Sequence, residues 1–425
     1  MIEPSRRAMM AAVAALPLAA ATAASAAEEP RKPRRTSKQR REPPPPANHV
    51  DVAVVGAGVF GAWTAWHLVR AGLKVRLFDA HGAGHARSSS GGESRVIRLG
   101  YGSDAIYSAM AAESLPYWQA LSATASAPIF HRTGVLWWAP DTDGYSAQTL
   151  AWLQASGTAH ETGDANWLQQ RWPQMRFYNN ERGILESGSG ALIAGRAVQE
   201  LVADAGLVVE RVEMPAPMPV KGRANHHLPD GGTATHMVYA CGPWLPRLFP
   251  QQLAGKIVAT RQEVFHFGIP AGDPRFAAPQ LPVWSDFNNG AMAYGLPDIE
   301  GQGFKLAFDD HGPAVDQDRI DRRITDAGLA RARAYLAQRF PALATAPLIH
   351  SRVCQYENTA SGDFLIDRLP GTERVWWVGG GSGHGFKHGP AVGKRVAAHI
   401  LDPRLPVEPR FSFASKGTVM ARTVF

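Results

Sequence analysis

From His49 onward the chain alternates between short apolar runs, glycine-rich turns and stretches with helical spacing. Residues 50–55 are apolar except for Asp51, the pattern of a strand buried on both faces. Apolar positions then recur at Ala62, Ala65, Trp66 and Val69, as on one face of a helix. A second apolar run, residues 75–78, ends in Asp79. Further strands are expected at residues 237–240 and 375–378, and a helix from Pro390 to Leu401, with proline suited to its first turn. Residues 188–212 read as turn, helix (Ala197, Leu201, Val202) and strand. Residues 106–186 are aromatic and loop-rich, with Trp137, Trp138 and Trp167. Beyond Glu263, alternation at Phe265 and Phe267 predicts a strand. Residues 283–284, 291–294 and 304–308 are further short strands, and residues 316–339 a helix charged on one face. Together these predict an α/β chain whose second, sheet-containing domain interrupts the first.

The glycines turn the first of these segments into a candidate site. Gly56-Ala57-Gly58-Val59-Phe60-Gly61 lies between strand and helix, and Asp79 closes the next strand. Gly56 suits the tight turn, Gly58 a close approach of backbone to pyrophosphate, and Gly61 the packing of helix on strand. The helix N-terminus offers N–H groups to phosphate, and Asp79 lies where a carboxylate accepts ribose hydroxyls. The pattern implies a dinucleotide and leaves open whether it is FAD or NAD. A second glycine loop, residues 379–387, also enters a helix and forms a second anion site.

Composition changes the picture mainly at the N-terminus. A chain of 425 residues, 45% hydrophobic, can bury a large core in two domains. Residues 1–27 read as a targeting leader: Arg6-Arg7, an Ala-rich apolar run too short for a confident span, and Ala24-Ser25-Ala26 as the cleavage site. The arginine pair fits a twin-arginine signal, which exports folded proteins and predicts a periplasmic enzyme; an uncleaved anchor or ordinary secretory signal are the alternatives. Residues 28–48 form a basic, proline-rich linker. Residues 1–48 carry 9 Lys and Arg against 4 Asp and Glu, so five of the seven net positive charges lie there. The basic pI is thus a tail effect and no argument for nucleic acid. Cys241 and Cys354, the two cysteines, form no disulfide framework; Cys241 reads as a buried structural thiol. His226-His227 read as a solvated loop, and no metal-ligand spacing appears.

Specific chemistry comes from two longer runs. Residues 88–102, Ser-Ser-Ser-Gly-Gly-Glu-Ser-Arg-Val-Ile-Arg-Leu-Gly-Tyr-Gly, resemble the flavin-crossing segment of the D-amino-acid-oxidase superfamily, on its monomeric sarcosine oxidase and N-methyltryptophan oxidase branch. Ser382-Gly-His-Gly-Phe-Lys387, with Cys354-Gln-Tyr356 upstream, is similar to that branch's signature in order and spacing. The resemblance covers residues 49–405 and implies FAD. It also implies a discontinuous Rossmann-type FAD-binding domain (49–128, 187–254, 353–405) and an α+β substrate domain on an antiparallel sheet (129–186, 255–352), before a C-terminal tail (406–425).

Residue by residue, the resemblance implies that Cys354 links covalently to the flavin. Arg98 and Lys387 bind the substrate carboxylate, and Tyr294 and Tyr356 wall the substrate cavity. Arg95 lies against the flavin ring, and Lys305 sits near flavin N5, where O2 is activated. Ser89, Gly381, Gly383 and Gly385 join Gly56, Gly58, Gly61 and Asp79 in holding the cofactor. Gly91-Gly92 and Asp309 depart from the sarcosine oxidase pattern, the glycines opening the cavity. The implied activity is oxidation of a carboxylate-bearing secondary or primary amine through hydride transfer to flavin, with imine hydrolysis and reduction of O2 to H2O2. The expected partners are that small molecule and O2, and the export machinery through the leader, without nucleic acid or stable membrane insertion, in a monomer. A dehydrogenase using a quinone or carrier protein, and a non-catalytic flavin module, are the alternatives.

Overall fold

In the computed structural model, which describes residues 48–217, 225–288 and 292–419, the strand His49–Val55 lies inside a parallel sheet. Its apolar run has Val52, Ala53 and Val54 wholly buried, as both faces are covered. The order is Leu365–Arg368, Val375–Gly379, Thr233–Tyr239, His49–Val55, Val75–Asp79, Val209–Arg211. Only the hairpin of the first two is antiparallel within that row. Helices Val59–Arg70 and Gly389–Leu401 share one core over this sheet. They approach closely because Gly393 has no side chain: a Cβ there would lie 2.5 Å from the Trp63 carbonyl carbon.

A second, eight-stranded sheet runs Leu348–Thr359, Ile257–Phe267, Phe304–Phe308, Ala293–Leu296, Val283–Asp286, Val135–Pro140, Glu181–Glu186, His160–Asp164. Every pairing is antiparallel except that of Val283–Asp286 with Val135–Pro140. Its long strands put Cys354 opposite Gln262 and Lys305 opposite His266. Helix Asp326–Arg339 covers this sheet, with Leu336 and Phe340 in a core around Trp284. Buried Arg339 pairs with Glu181 at 2.6 Å and Asp286 at 3.0 Å. A small third sheet joins Ser94–Ile97, Gly190–Ile193 and Phe130–His131.

The mixed α/β architecture and its interleaved sheets are as expected, and several local expectations are corrected. Residues 106–186 are largely regular, holding helices Ala105–Thr124, Gly144–Ala155 and Ala165–Arg171 besides three strands of the large sheet. Their apolar residues serve several neighbours at once, so no single face shows in the sequence. The expected helix 316–339 begins only at Asp326, capped by the Thr325 side chain. Ahead of it, Asp316 and Asp321 accept N–H groups two residues on, holding turns instead. His226–His227 are a short strand beside Thr233–Tyr239 rather than a loop. The expected domain boundary at residue 353 falls inside the strand Leu348–Thr359, which stays in the antiparallel sheet to Thr359. The leader, residues 28–47 of the linker, Ala291 and residues 420–425 of the tail lie outside the described residues. No helix among the described residues is long and apolar enough to cross a membrane.

Candidate active site

One cavity of about 410 Å³ is lined by both glycine turns and by the strands that carry Lys305 and Cys354. At its glycine-turn end, Gly56 has φ +103°, and a Cβ there would lie 2.3 Å from the Ala240 carbonyl oxygen. A Cβ on Gly61 would lie 1.8 Å from the Gly56 carbonyl oxygen. Both positions require glycine. The N–H groups of this turn are only partly free. Ala57 N–H donates to Asp79 Oδ2 at 2.8 Å, and Val59 N–H to Ser90 Oγ at 2.9 Å. Asp79 Oδ1 accepts from His81 and Gly82 N–H at 2.7 and 2.9 Å. Asp79 does line the cavity, but its carboxylate also clamps three backbone amides, a role that its spacing did not disclose.

Residues 88–98 cross between the sheets. Ser89 Oγ donates to the Gln355 carbonyl at 2.8 Å. Arg95 donates to the carbonyls of Ser89, Gly91 and Ser94 at 2.6–2.9 Å and lies 5.7 Å from the Phe386 ring centre. Gly91 and Gly92 open no space: Cβ atoms there would come within 3.0 and 3.1 Å of the Arg352 guanidinium, which fills it.

Three buried cations mark the chemistry, Lys305 (4% exposed), Lys387 (6%) and Arg98 (8%). Arg98 donates to the Gly100 carbonyl and Tyr145 hydroxyl, Lys387 to the Tyr101 hydroxyl and His384 carbonyl, and Lys305 to the Ser94 carbonyl and hydroxyl. Their donors thus go to neutral oxygens, not to carboxylates. Arg98 and Lys387 both lie on the Tyr101 ring, at 4.3 and 5.2 Å from its centre. Burial, then the Arg98 charge, holds the Lys387 ammonium well below its ordinary range. Burial, then Arg95, brings Lys305 from 10.5 down to about 7. Nearby, Tyr294 and Tyr356 meet hydroxyl to hydroxyl at 3.4 Å, and burial raises Tyr294 to about 12.

Cys354 is an unpaired thiol in the cavity wall. Cys241 also lines it, its Sγ 3.5 Å from the Val55 carbonyl, with burial pushing the thiol up. Gly381, Gly383 and Gly385 border the same cavity. A Cβ on Gly383 would meet the Tyr356 ring at 2.6 Å, so the second glycine loop and the aromatic wall fit only without a side chain there.

Four residues of the site escaped the sequence reading. Glu186, fully buried, accepts from Leu99 and Gly100 N–H at 2.8 and 3.0 Å and from Ser189 Oγ at 2.6 Å, holding the backbone beside Arg98. Tyr101 separates the two cations, and Ser90 caps the first helix from outside it. Glu357 presents Oε1 to Gly381 N–H at 3.2 Å, while Oε2 has no hydrogen-bond partner among the described residues, and burial lifts its carboxyl to about 7. Gly-Tyr-Gly at 100–102 and the residue after Tyr356 were the available signals. Their roles depend on contacts across the fold. The glycine cradle, the Ser90 cap and the Glu357 oxygen without a partner among the described residues all border one cavity and fit a dinucleotide.

A parallel sheet with a glycine turn, joined through one cavity to an antiparallel sheet, defines a dinucleotide-binding α/β protein. The profile of the DAO family of FAD dependent oxidoreductases matches residues 51–399, and the chain belongs to that family. It is 29% identical over 373 residues to N-methyl-L-tryptophan oxidase of Salmonella arizonae, covering 83% of this chain and 95% of that protein. The enzyme of the same name from Citrobacter koseri is 28% identical, covering 84% and 95%. Among solved structures, the open form of NikD, described as an unusual amino acid oxidase essential for nikkomycin biosynthesis, superposes with a TM-score of 0.71 at 20% identity, covering 86% of this chain and 98% of that one. Fructosamine oxidase (Amadoriase II) from Aspergillus fumigatus gives 0.69 at 20% identity, covering 86% and 90%. These two similarities are of fold.

Proposed function

We infer that the protein oxidises the C–N bond of a small secondary or primary amine carrying a carboxylate, the imine product being hydrolysed and O2 reduced to H2O2. The observation that carries this reading is the Arg98–Lys387 pair. Two cations buried around one tyrosine, with neutral oxygens as their hydrogen-bond acceptors, form a ready anion site. The N-methyl-L-tryptophan oxidases and NikD bear names that fit an amino-acid substrate. FAD, when bound, would supply the redox chemistry, a two-electron exchange between amine and O2.

The chain's own residues bind and orient. The parallel sheet is the FAD-binding part, with the Gly56–Gly61 turn at the pyrophosphate and Asp79 at the ribose. The large antiparallel sheet is the substrate part. Cys354 is the point of covalent attachment, and Ser89, Arg95, Gly381, Gly383 and Gly385 hold the ring system. Tyr294 and Tyr356 enclose the substrate and exclude water. Lys305, near-neutral in its proton affinity, supplies positive charge beside the ring for reaction with O2. The protein acts as a monomer, and Arg6-Arg7 direct its export, folded and loaded with FAD, to the periplasm.

A panel of amines with peroxide detection tests the activity. Turnover of N-methyl or α-amino acids with H2O2 release is expected. Turnover only with an artificial electron acceptor, and no peroxide in air, would replace the oxidase by a dehydrogenase. Arg98→Ala or Lys387→Ala should lose most activity on amino acids and little on uncharged amines; equal loss on both would remove the carboxylate role.

A further inference from the structure

Lys305 has a second neighbourhood besides the main cavity. A separate cavity of about 250 Å³ lies against Glu93, Ser94, His266, Ile299 and Gln302, and among the described residues Lys305 alone lines both. The sheet register explains what surrounds it. His350, His266 and Lys305 occupy directly opposite positions on three adjacent strands, so their side chains share one face. The row runs from a half-buried imidazole, His350 (34% exposed), through fully buried His266 to the buried ammonium. The two imidazoles stack with ring centres 4.4 Å apart. Glu93 closes the row: its Oε1 lies 3.4 Å from His350 Nε2 and its Oε2 3.9 Å from His266 Nε2. Neither Nε2 has another partner among the described residues, whereas His266 Nδ1 faces the Gln302 carbonyl at 3.1 Å. Stacked rings hold their lone pairs in two near-parallel planes rather than aiming them at one point, so the arrangement favours a proton over a metal ion.

We propose that the His350–Glu93–His266 row and the second cavity form a proton-exchange path between solvent and Lys305, separate from the substrate cavity. The half-exposed His350 ring takes up a proton from solvent, and the N–H bond at its buried Nε2 breaks as an O–H bond forms on Glu93. Glu93 passes it to His266 Nε2. From there it reaches Lys305 through water in the second cavity, which has room for several molecules. The lysine gains one N–H bond, the solvent loses one proton, and nothing is oxidised or reduced. The charged and titratable groups facing Lys305 are Glu93, Arg95, Arg352, Cys354 and His266, from three different segments. Burial, then Arg95, brings the lysine near neutrality against the opposing pull of Cys354 and Glu93, and there it loses and regains its proton readily.

The inference rests on Lys305 lying beside bound flavin, but its test needs no substrate. Resting holoenzyme is jumped from about pH 9 to about pH 6 in a stopped-flow instrument. The flavin absorbance then reports the charge arriving on Lys305, and Lys305→Met, lacking that signal, is the control. His266→Phe keeps the stacked ring but carries no proton, and Glu93→Gln keeps the shape. Each should slow the relaxation about 100-fold, the scale of losing one proton-transfer group. In His266→Ala, imidazole in solution should restore the rate. Unchanged relaxation in folded, flavin-loaded His266→Phe and Glu93→Gln overturns the path; His266→Gln serves if the phenylalanine variant does not fold. A full pH-dependent change in flavin absorbance persisting in Lys305→Met overturns it as well. A protein inert to every amine yet showing this relaxation would refute the proposed activity and leave the path standing.

Discussion

Arg98, Lys387 and Lys305 are costly residues. Burying a cation disfavours folding, and each of these donates its hydrogen bonds to neutral oxygens, with Glu186, Asp309 and Glu93 acting on them only through space. That cost makes sense where negative charge is to be received. Lys305→Met, similar in length but uncharged, should slow reoxidation of the reduced enzyme by O2 at least about 100-fold, the scale of losing one electrostatic stabiliser. Anaerobic reduction by substrate should fall far less, and following the two half-reactions separately checks this. A collapse of reduction alone would move Lys305 to the substrate site. Cys354 makes a sharper case. Wild-type protein precipitated with acid should carry its flavin into the pellet, whereas Cys354→Ser should leave it in the supernatant. A Cys241–Cys354 disulfide found by mass spectrometry would cancel that assignment.

At the scale of elements, the first glycine turn is held by its neighbours as much as by its own glycines. Asp79 and Ser90 each take an N–H from it, so strand, turn and crossing loop are tied together by the protein's own groups. Ser90→Ala should cost about 1 kcal/mol of stability, as for the loss of a helix cap, read from denaturant midpoints. Gly61→Ala is far more severe. Its Cβ would lie 1.8 Å from the Gly56 carbonyl oxygen, so the turn must distort and flavin content should fall to background. Normal flavin loading in that variant would show that the turn does not hold the cofactor. The long strand Leu348–Thr359 is the other organising element. It carries His350, Arg352, Cys354, Tyr356 and Glu357 past the cavity in one extended run.

For the whole molecule, the buried lysines set a pH dependence of stability. Lys305 falls from 10.5 to about 7 on folding, so between those values the unfolded chain binds more protons and stability rises with pH. Below about pH 7 both states hold the proton and the penalty is complete. Lys305→Met should therefore be the more stable protein at pH 6 by a few kcal/mol, each tenfold loss of proton affinity on folding costing about 1.4 kcal/mol. The gap should close as pH rises toward about 10, as read from urea midpoints along the range. A gap independent of pH would mean that the lysine keeps its ordinary proton affinity. Export belongs to this scale too. Arg6-Arg7→Lys-Lys should strand folded, yellow precursor in the cytoplasm, and unchanged delivery would indicate the general secretory route.

Local sequence determined the dinucleotide half of this protein. Apolar runs, a glycine turn between strand and helix, and an acid at the next strand end are properties of neighbouring residues, so spacing alone discloses them. The candidate cations Arg98, Lys305 and Lys387 were legible for a related reason, since each stands inside a short motif. Tertiary structure decided the rest. Tyr101 meets Lys387 across 286 positions, Glu186 reaches Leu99 across 87, and Lys305 reaches Ser94 across 211. The row from His350 to Lys305 exists only through the register of three strands, and Arg352 fills the space over Gly91 and Gly92 from far along the chain. Sequence patterns record which face of an element is apolar. Which distant polar groups share that buried space depends on strand order and register, and these are set when the sheets assemble.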